Sequence, residues 1–266
     1  RKLLREKGSL ANLIVMSATP IPRSLALTIY GDLDVSIIDE LPAERMPIKT
    51  KWIKDEAERQ KMYNFIAKKI KEGRQVYVVS PLIEESETLN VKSAQETFEE
   101  YSGIFPGRRI GLIHGKQNYK EKQEVMSKFK KHELDILVST TVIEVGVNVP
   151  NASIMVIRDA QRFGLSSLHQ LRGRVGRGQY QSYCFLESET DNELSARRLE
   201  VMEKTTDGFK IAEEDLKLRN SGEIMGTRQS GVSDMVLTDI VKNVKEIKYV
   251  RDYVIKYLER NNGKVE

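Results

Sequence analysis

The sequence predicts an α/β fold: a parallel sheet with helices on both faces. Three observations carry this. Short apolar runs recur at 13–16, 76–79, 110–113, 134–138, 153–157 and 183–186, continuous rather than alternating. Strands buried on both faces read that way. Between most of them lie segments of helical periodicity, as parallel crossovers require. Polar motifs follow strands directly: Ser80-Pro81, His114-Gly115-Lys116 and Ser139-Thr140-Thr141. In open parallel sheets, ligands gather at those strand ends.

Residues 31–50 have little regular pattern, with Pro42 and Pro47 among charged residues, and predict an extended linker. Met62, Phe65, Ile66, Lys69 and Ile70 line one helical face, and Gly73 stops that helix. Ser93 with Glu96 predicts a capping box for a helix bearing Phe98 and Tyr101. Asn118 and Glu121 open the next helix, with Val125, Met126 and Phe129 inward. After residue 188 the alternation ends. Thr190 with Glu193 predicts a capped helix to about Lys204, and 208–217 a second, giving a helical hairpin. Residues 220–231 are glycine-containing and predict a loop. Leu237, Ile240, Val241, Val244, Ile247, Val254 and Leu258 then form the stripe of a long amphipathic helix.

Composition narrows the class less sharply. Lys and Arg number 43 against 39 Asp and Glu, a net charge of +4. That permits nucleic-acid binding without requiring it, so local clustering decides. The single cysteine, Cys184, has no internal disulfide partner and reads as a buried strand residue rather than a nucleophile. No apolar run approaches the ~20 residues that span a bilayer. The expected location is the cytoplasm and the expected state a monomer. The chain starts with Arg1, not Met, and is expected to be a fragment.

The most informative run is Gln170-Leu171-Arg172-Gly173-Arg174-Val175-Gly176-Arg177. Its glycines let the backbone approach another surface closely. Its arginines are planar, always-charged forks suited to phosphate oxygens. A basic helix end lying on solvent or nucleic acid is the plainer alternative. The octapeptide resembles the last motif of superfamily 2 helicases. With Ser17-Ala18-Thr19-Pro20-Ile21-Pro22-Arg23, Tyr30-Gly31-Asp32-Leu33-Asp34-Val35, Arg162-Phe163-Gly164-Leu165-Ser166 and Gly226-Thr227-Arg228-Gln229-Ser230-Gly231, the chain resembles the C-terminal half of the RecG family. These are bacterial ATP-dependent DNA helicases that remodel branched DNA. The transcription-repair coupling factors are a related alternative, sharing the motor and the hairpin-loop element. His169 and Ser182-Tyr183-Cys184 look more like the RecG family. A non-catalytic nucleic-acid-binding module is the other functional class.

The resemblance implies a division of the chain: 1–48 ends a first motor domain and its linker, and 49–188 is a second RecA-like domain. Residues 189–232 are then a hairpin with a translocation loop, and 233–266 a terminal helix. It implies ATP and Mg²⁺ as cofactors, bound mainly by the first motor domain, and double-stranded and branched DNA as partner. Arg174, Arg177 and Gln170 take the catalytic role at the γ-phosphate; Arg172 is positional or solvent-facing. Gly146 and Asn148 fall in the nucleotide-binding motif. Asn148 stands where the family usually has Asp, keeping an acceptor oxygen but losing the charge; alternatively it is a turn residue before Val149-Pro150. Ser80, His114, Gly115, Lys116, Thr140 and Thr141 fall on the DNA-binding side. There a strand end meeting a helix start offers amides and a lysine to an anion. For His114 a structural hydrogen bond, and for Lys116 plain solvation, are the alternatives. Ser17, Ala18 and Thr19 match the coupling motif, or else cap a helix. Arg198, Arg219, Arg228 and Gln229 match the translocation element; surface salt bridges are the alternative for Arg198 and Arg219. No protein metal site is expected.

No Gly-x-x-x-x-Gly-Lys-Ser/Thr phosphate loop occurs in the sequence. Arginine fingers act on a phosphate that other residues cradle. The 266-residue chain alone is therefore expected to show no DNA-stimulated ATP hydrolysis. A coupled ATPase assay with and without branched DNA checks this, and turnover at motor-enzyme rates would overturn it.

Overall fold

The computed structural model describes residues 46–81, 87–140 and 149–225, with single positions at 36 and 38 and within 249–260. The strand expected at 13–16, and all but Val254 of the terminal stripe, lie outside the described residues. Val254 itself is helical and exposed.

Six strands form one sheet: β1 (Lys49–Ile53), β2 (Gln75–Val79), β3 (Ile110–Ile113), β4 (Ile136–Ser139), β5 (Ala152–Ile157) and β6 (Tyr183–Glu187). Their order is β1-β6-β5-β2-β4-β3, and every pair is parallel. The helices are α1 (Glu56–Lys71), α2 (Glu87–Ile104), α3 (Tyr119–Lys130), α4 (Leu165–Arg172), α5 (Glu193–Lys204) and α6 (Gly208–Met225). A 3₁₀ turn, Ala160–Arg162, precedes α4.

Alternate strand residues feed two apolar layers. Tyr77, Leu137, Met155, Ile157, Cys184 and Leu186 pack with Phe129 of α3, Leu168 of α4, Leu199 of α5 and Ile211 of α6. Val76, Val78, Ile136, Val138, Ile154 and Val156 pack on the opposite face with Met62, Ile66 and Ile70 of α1 and Tyr101 of α2. Both faces are thus covered, which is why the strands read as unbroken apolar runs. Cys184 is fully buried and its thiol is pushed up to about 12 by burial, as expected of a packed residue.

Local signals explain most element ends. Asp55 accepts from the Glu58 amide at 2.8 Å and starts α1. Gly73, at φ +81, follows its end. Asn118 and Glu121 form the expected reciprocal box, at 2.9 and 2.8 Å.

Four expectations are corrected. Ser93 caps nothing: α2 already starts at Glu87, and the Ser93 carbonyl accepts the Thr97 hydroxyl at 3.0 Å. A Ser-x-x-Glu spacing occurs equally inside a helix, where hydroxyls bond carbonyls four residues back. The cap of α5 is Asn192, accepting from the Ser195 amide at 2.9 Å; Thr190 instead accepts from the Asn192 amide. The second hairpin helix runs past 217 to Met225, so 220–225 are helical, not loop. β1 starts within the stretch expected as linker. Its charged first half sits at the sheet edge, and only Trp52 and Ile53 are buried.

Of the two readings of Arg172, positional or solvent-facing, the second is overturned: the residue is buried. Its guanidinium donates to the Met202 and Thr205 carbonyls at 2.8 and 2.9 Å and to Thr50 Oγ1 at 3.3 Å, tying α4 to the end of α5. Its other nitrogen lies 3.1 Å from His169 Nδ1. Burial, then the neighbouring Arg172 charge, push His169 down to about 4. Unfolded, a histidine titrates near 6.5. Between these values the unfolded state binds the extra proton, so stability falls as pH drops from 6.5 toward 4. Glu187, pushed up to about 7, works in the opposite sense, so the test is a difference. Relative to His169→Gln, the natural chain should lose on the order of 2 kcal/mol between pH 7 and 4.5. Urea unfolding at both pH values checks this; parallel pH dependence of the two proteins would refute it.

Candidate functional site

The motif residues divide between two opposite edges of the sheet. At the C-terminal edge, Ser80, Thr140 and His114 follow the neighbouring strands β2, β4 and β3. The Ser80 amide donates to Ser139 O at 2.9 Å and the Thr140 amide to Ile113 O at 3.2 Å, so the three stand in a row. Ser80 is buried, its hydroxyl 2.9 Å from that of Thr97, and Thr140 is buried too. In this arrangement Ser80 shapes the edge rather than offering a hydroxyl outward.

The 114–118 turn is organised by Gln117, whose Oε1 accepts from the His114 amide at 3.1 Å and whose Nε2 donates to Leu112 O at 3.2 Å. Among the described residues the His114 ring Nδ1 has no hydrogen-bond partner. Burial first, then Lys122, hold its pKa below the usual histidine value. Gly115 and Lys116 are exposed. A Cβ on Gly115 would meet nothing within 4 Å. At the helix start Glu121 places a carboxylate on the Asn118 amide, and Asn118 takes the Glu121 amide. Lys116, Lys120 and Lys122 add positive charge at this turn.

Arg174 and Arg177 lie at the other edge. α4 runs back along the sheet, and the chain then turns through Gly176 at φ +79, packed on Ile48, which precedes β1. Gly178 lies against Pro150, which precedes β5: a Cβ there would be 2.3 Å from the Pro150 carbonyl oxygen. Gln181 Nε2 donates to Pro47 O at 2.8 Å. These landmarks place the arginines at the N-terminal edge. Arg174 is half-buried and Arg177 exposed; among the described residues neither is ion-paired. Both favour the anion of Tyr77, whose hydroxyl burial pushes up to about 12. Gln170 is half-buried one turn before them. Two cations with no carboxylate partner suit a polyanion.

The connection from β4 to β5 joins the two edges. It leaves the C-terminal edge at Thr140 and reaches the N-terminal edge at Val149-Pro150. Thr141, Gly146 and Asn148 lie in its middle, outside the described residues, as do Ser17, Ala18, Thr19, Arg228 and Gln229. Arg219 is a backbone position of α6. Among the described residues Arg198 forms no salt bridge. Its guanidinium donates to Phe163 O at 3.2 Å, Leu194 O at 3.4 Å and Ser195 Oγ at 3.0 Å, docking α5 on the turn before α4.

Sequence reasoning missed a buried charge cluster. Arg158 Nε lies 2.8 Å from Glu187 Oε2, and its Nη1 donates to Glu100 at 2.6 Å; Arg59 reaches Glu187 at 4.0 Å. The cluster ties the ends of β5 and β6 to α1 and α2. Its one sequence signal is a glutamate closing an apolar strand. Among the described residues no three His, Cys, Asp or Glu side chains converge as a metal site would need.

The helicase conserved C-terminal domain family matches residues 57–179, and "ATP-dependent DNA helicase RecG, domain 3, C-terminal" matches 205–266. ATP-dependent DNA helicase RecG of Streptococcus pneumoniae serotype 4 is 52% identical over 258 residues, 96% of this chain and 38% of that protein. Its counterpart in Staphylococcus aureus strain Mu50 is 49% identical over 256 residues, 95% of this chain and 37% of the relative. The chain thus spans under two-fifths of these relatives. A solved structure of RecG bound to a three-way DNA junction aligns with TM-score 0.70 and 45% identity, over 90% of this chain and 31% of that one. With half of its residues shared across nearly its whole length, this chain belongs to the RecG family of ATP-dependent DNA helicases and corresponds to the C-terminal part of its members.

Proposed function

We propose that this chain is the second RecA-like motor domain and translocation element of an ATP-dependent translocase acting on duplex and branched DNA in the bacterial cytoplasm. The domain limits are 49–188 for the motor, 189–232 for the hairpin and loop, and 233–266 for the terminal helix. One observation carries the reading: an arginine couple with no ion pair among the described residues stands at one sheet edge and is joined in the chain to a lysine-bearing turn row at the other by the 140–151 crossover. Arg174 and Arg177 act on the charge of the transferring phosphoryl group, and Gln170 orients within the same site. The Ser80–His114–Thr140 edge follows the DNA backbone, with Lys116 supplying charge. Phosphate contacts of this kind position a duplex without reading its sequence. Junction DNA enters as partner because a RecG structure holds a three-way junction. The protein acts as a monomer. ATP and Mg²⁺ are held chiefly by residues outside this chain, and Mg²⁺ supplies charge neutralisation there.

The fingers are tested in the natural polypeptide that carries the chain. Arg174→Ala and Arg177→Ala should each lower kcat strongly, toward the ~10³–10⁵-fold contributed by related fingers, with little change in ATP binding. Steady-state kinetics on branched DNA decide this. A mutant that raised KM alone would make that arginine a ground-state binder.

The translocation element should respond differently. Gln229→Ala should retain ATP hydrolysis and lose most fork unwinding, because the loop must move for hydrolysis to become displacement. Both activities are measured side by side. A proportional fall in both, or full unwinding, would refute the assignment.

A further inference from the structure

We propose that Tyr180 stacks on the nucleobase of the bound nucleotide, with Arg74 backing its ring. This rests on the ATP reading above and deepens it. Tyr180 is 50% exposed and lies three residues beyond Arg177. The Arg74 guanidinium covers one face of the ring, 3.2 Å from its centroid. A planar cation on one face leaves the other for a second planar group.

The support beneath Arg74 is built rather than incidental. Its Nη1 donates to Asn151 Oδ1 at 2.8 Å. Asn151 Nδ2 donates to Gly73 O at 2.7 Å and to Gln75 Oε1 at 3.2 Å. Gln75 is fully buried and donates to Phe129 O at 2.6 Å and Leu134 O at 2.8 Å. The platform is therefore anchored in the sheet, while its upper ring is open.

Its position fits a nucleotide. Asn151 adjoins Pro150, against which Gly178 is pressed, so ring and finger share one edge. Three residues reach at most about 10 Å, comparable to the length of a nucleoside triphosphate from base to terminal phosphate. A phosphate at Arg177 thus brings the base within reach of Tyr180. The crossover bearing Gly146 and Asn148 ends at the same Pro150.

The test uses the natural polypeptide, with ATP as substrate and inorganic tripolyphosphate as a base-free competitor. Tyr180→Ala should raise KM for ATP roughly tenfold, within what base–aromatic stacking contributes. It should leave kcat and tripolyphosphate inhibition unchanged. Tyr180→Phe should match the natural protein, since the ring alone is used, and Arg74→Ala should raise KM for ATP by a smaller factor. An unchanged KM in Tyr180→Ala overturns the stacking. So does an equal weakening of ATP and tripolyphosphate, which would mean a merely structural clasp. Absence of ATP turnover in the unmutated protein overturns the proposed function itself, a result distinguishable from either.

Discussion

Parallel pairing of all six strands is the constraint on which the rest depends. When every strand points the same way, every connection must travel the length of the sheet to begin the next one. Each linker therefore has one end at each edge. In this chain the β4–β5 connection has no described helix of its own, and its two ends touch both candidate sites: Thr140 beside Ser80 and His114, Pro150 beside Gly178. An antiparallel sheet could place a turn at either edge alone. Here topology puts the two ends of one short stretch at opposite edges, each beside a candidate site.

The same topology decides which features were legible in the sequence. Central strands, buried on both faces, announce themselves as apolar runs, and β2 to β6 were readable within two residues or so. β1 was not, because an edge strand tolerates charge: Lys49 and Lys51 mask it, and only Trp52 and Ile53 mark its buried end. Helix starts were legible where a cap competes with nothing else, as at Asn118. They were misread at Ser93, where the same letters sit inside a longer helix. α6 extends through Asn220-Ser221-Gly222 despite the weak local helix propensity of these residues. The edge of Ser80, His114 and Thr140 was legible from their place after strands; that Arg174 and Arg177 lie at the other edge was not, since that follows from the direction in which α4 returns along the sheet.

Arginine shows the same limit most clearly. Arg158, Arg172, Arg174, Arg177 and Arg198 are one residue type with three fates. Arg158 and Arg172 are spent inside the protein, on carboxylates and carbonyls respectively. Arg198 docks a helix on backbone oxygen. Arg174 and Arg177 alone of these five carry no described side-chain ion pair or hydrogen bond. For Arg172 a signal did exist: it stands four residues after Leu168 and seven after Leu165, on the buried face of α4. Arg174 and Arg177 follow the helix end, where that periodicity no longer binds them to the core.

Arg172 also connects the arginine edge to the hairpin. Only Gly173 separates it from Arg174, and its guanidinium holds the last carbonyl-bearing turn of α5 at Met202 and Thr205. The hairpin is not a loosely tethered appendage: Leu199, Met202, Ile211 and Leu218 belong to the same apolar layer as Leu168 and Leu171. Arg198 adds a second tie, from α5 to the turn where α4 begins. α4 is therefore gripped by the hairpin at both ends, while the loop that follows it presents the two arginines. A close-packed layer transmits displacement rather than absorbing it. Any movement of that loop toward a phosphate would draw on α4, and through Arg172 on α5. The physical route from the arginine edge to the hairpin is thus a single eight-residue helix with a hydrogen-bonded joint at each end.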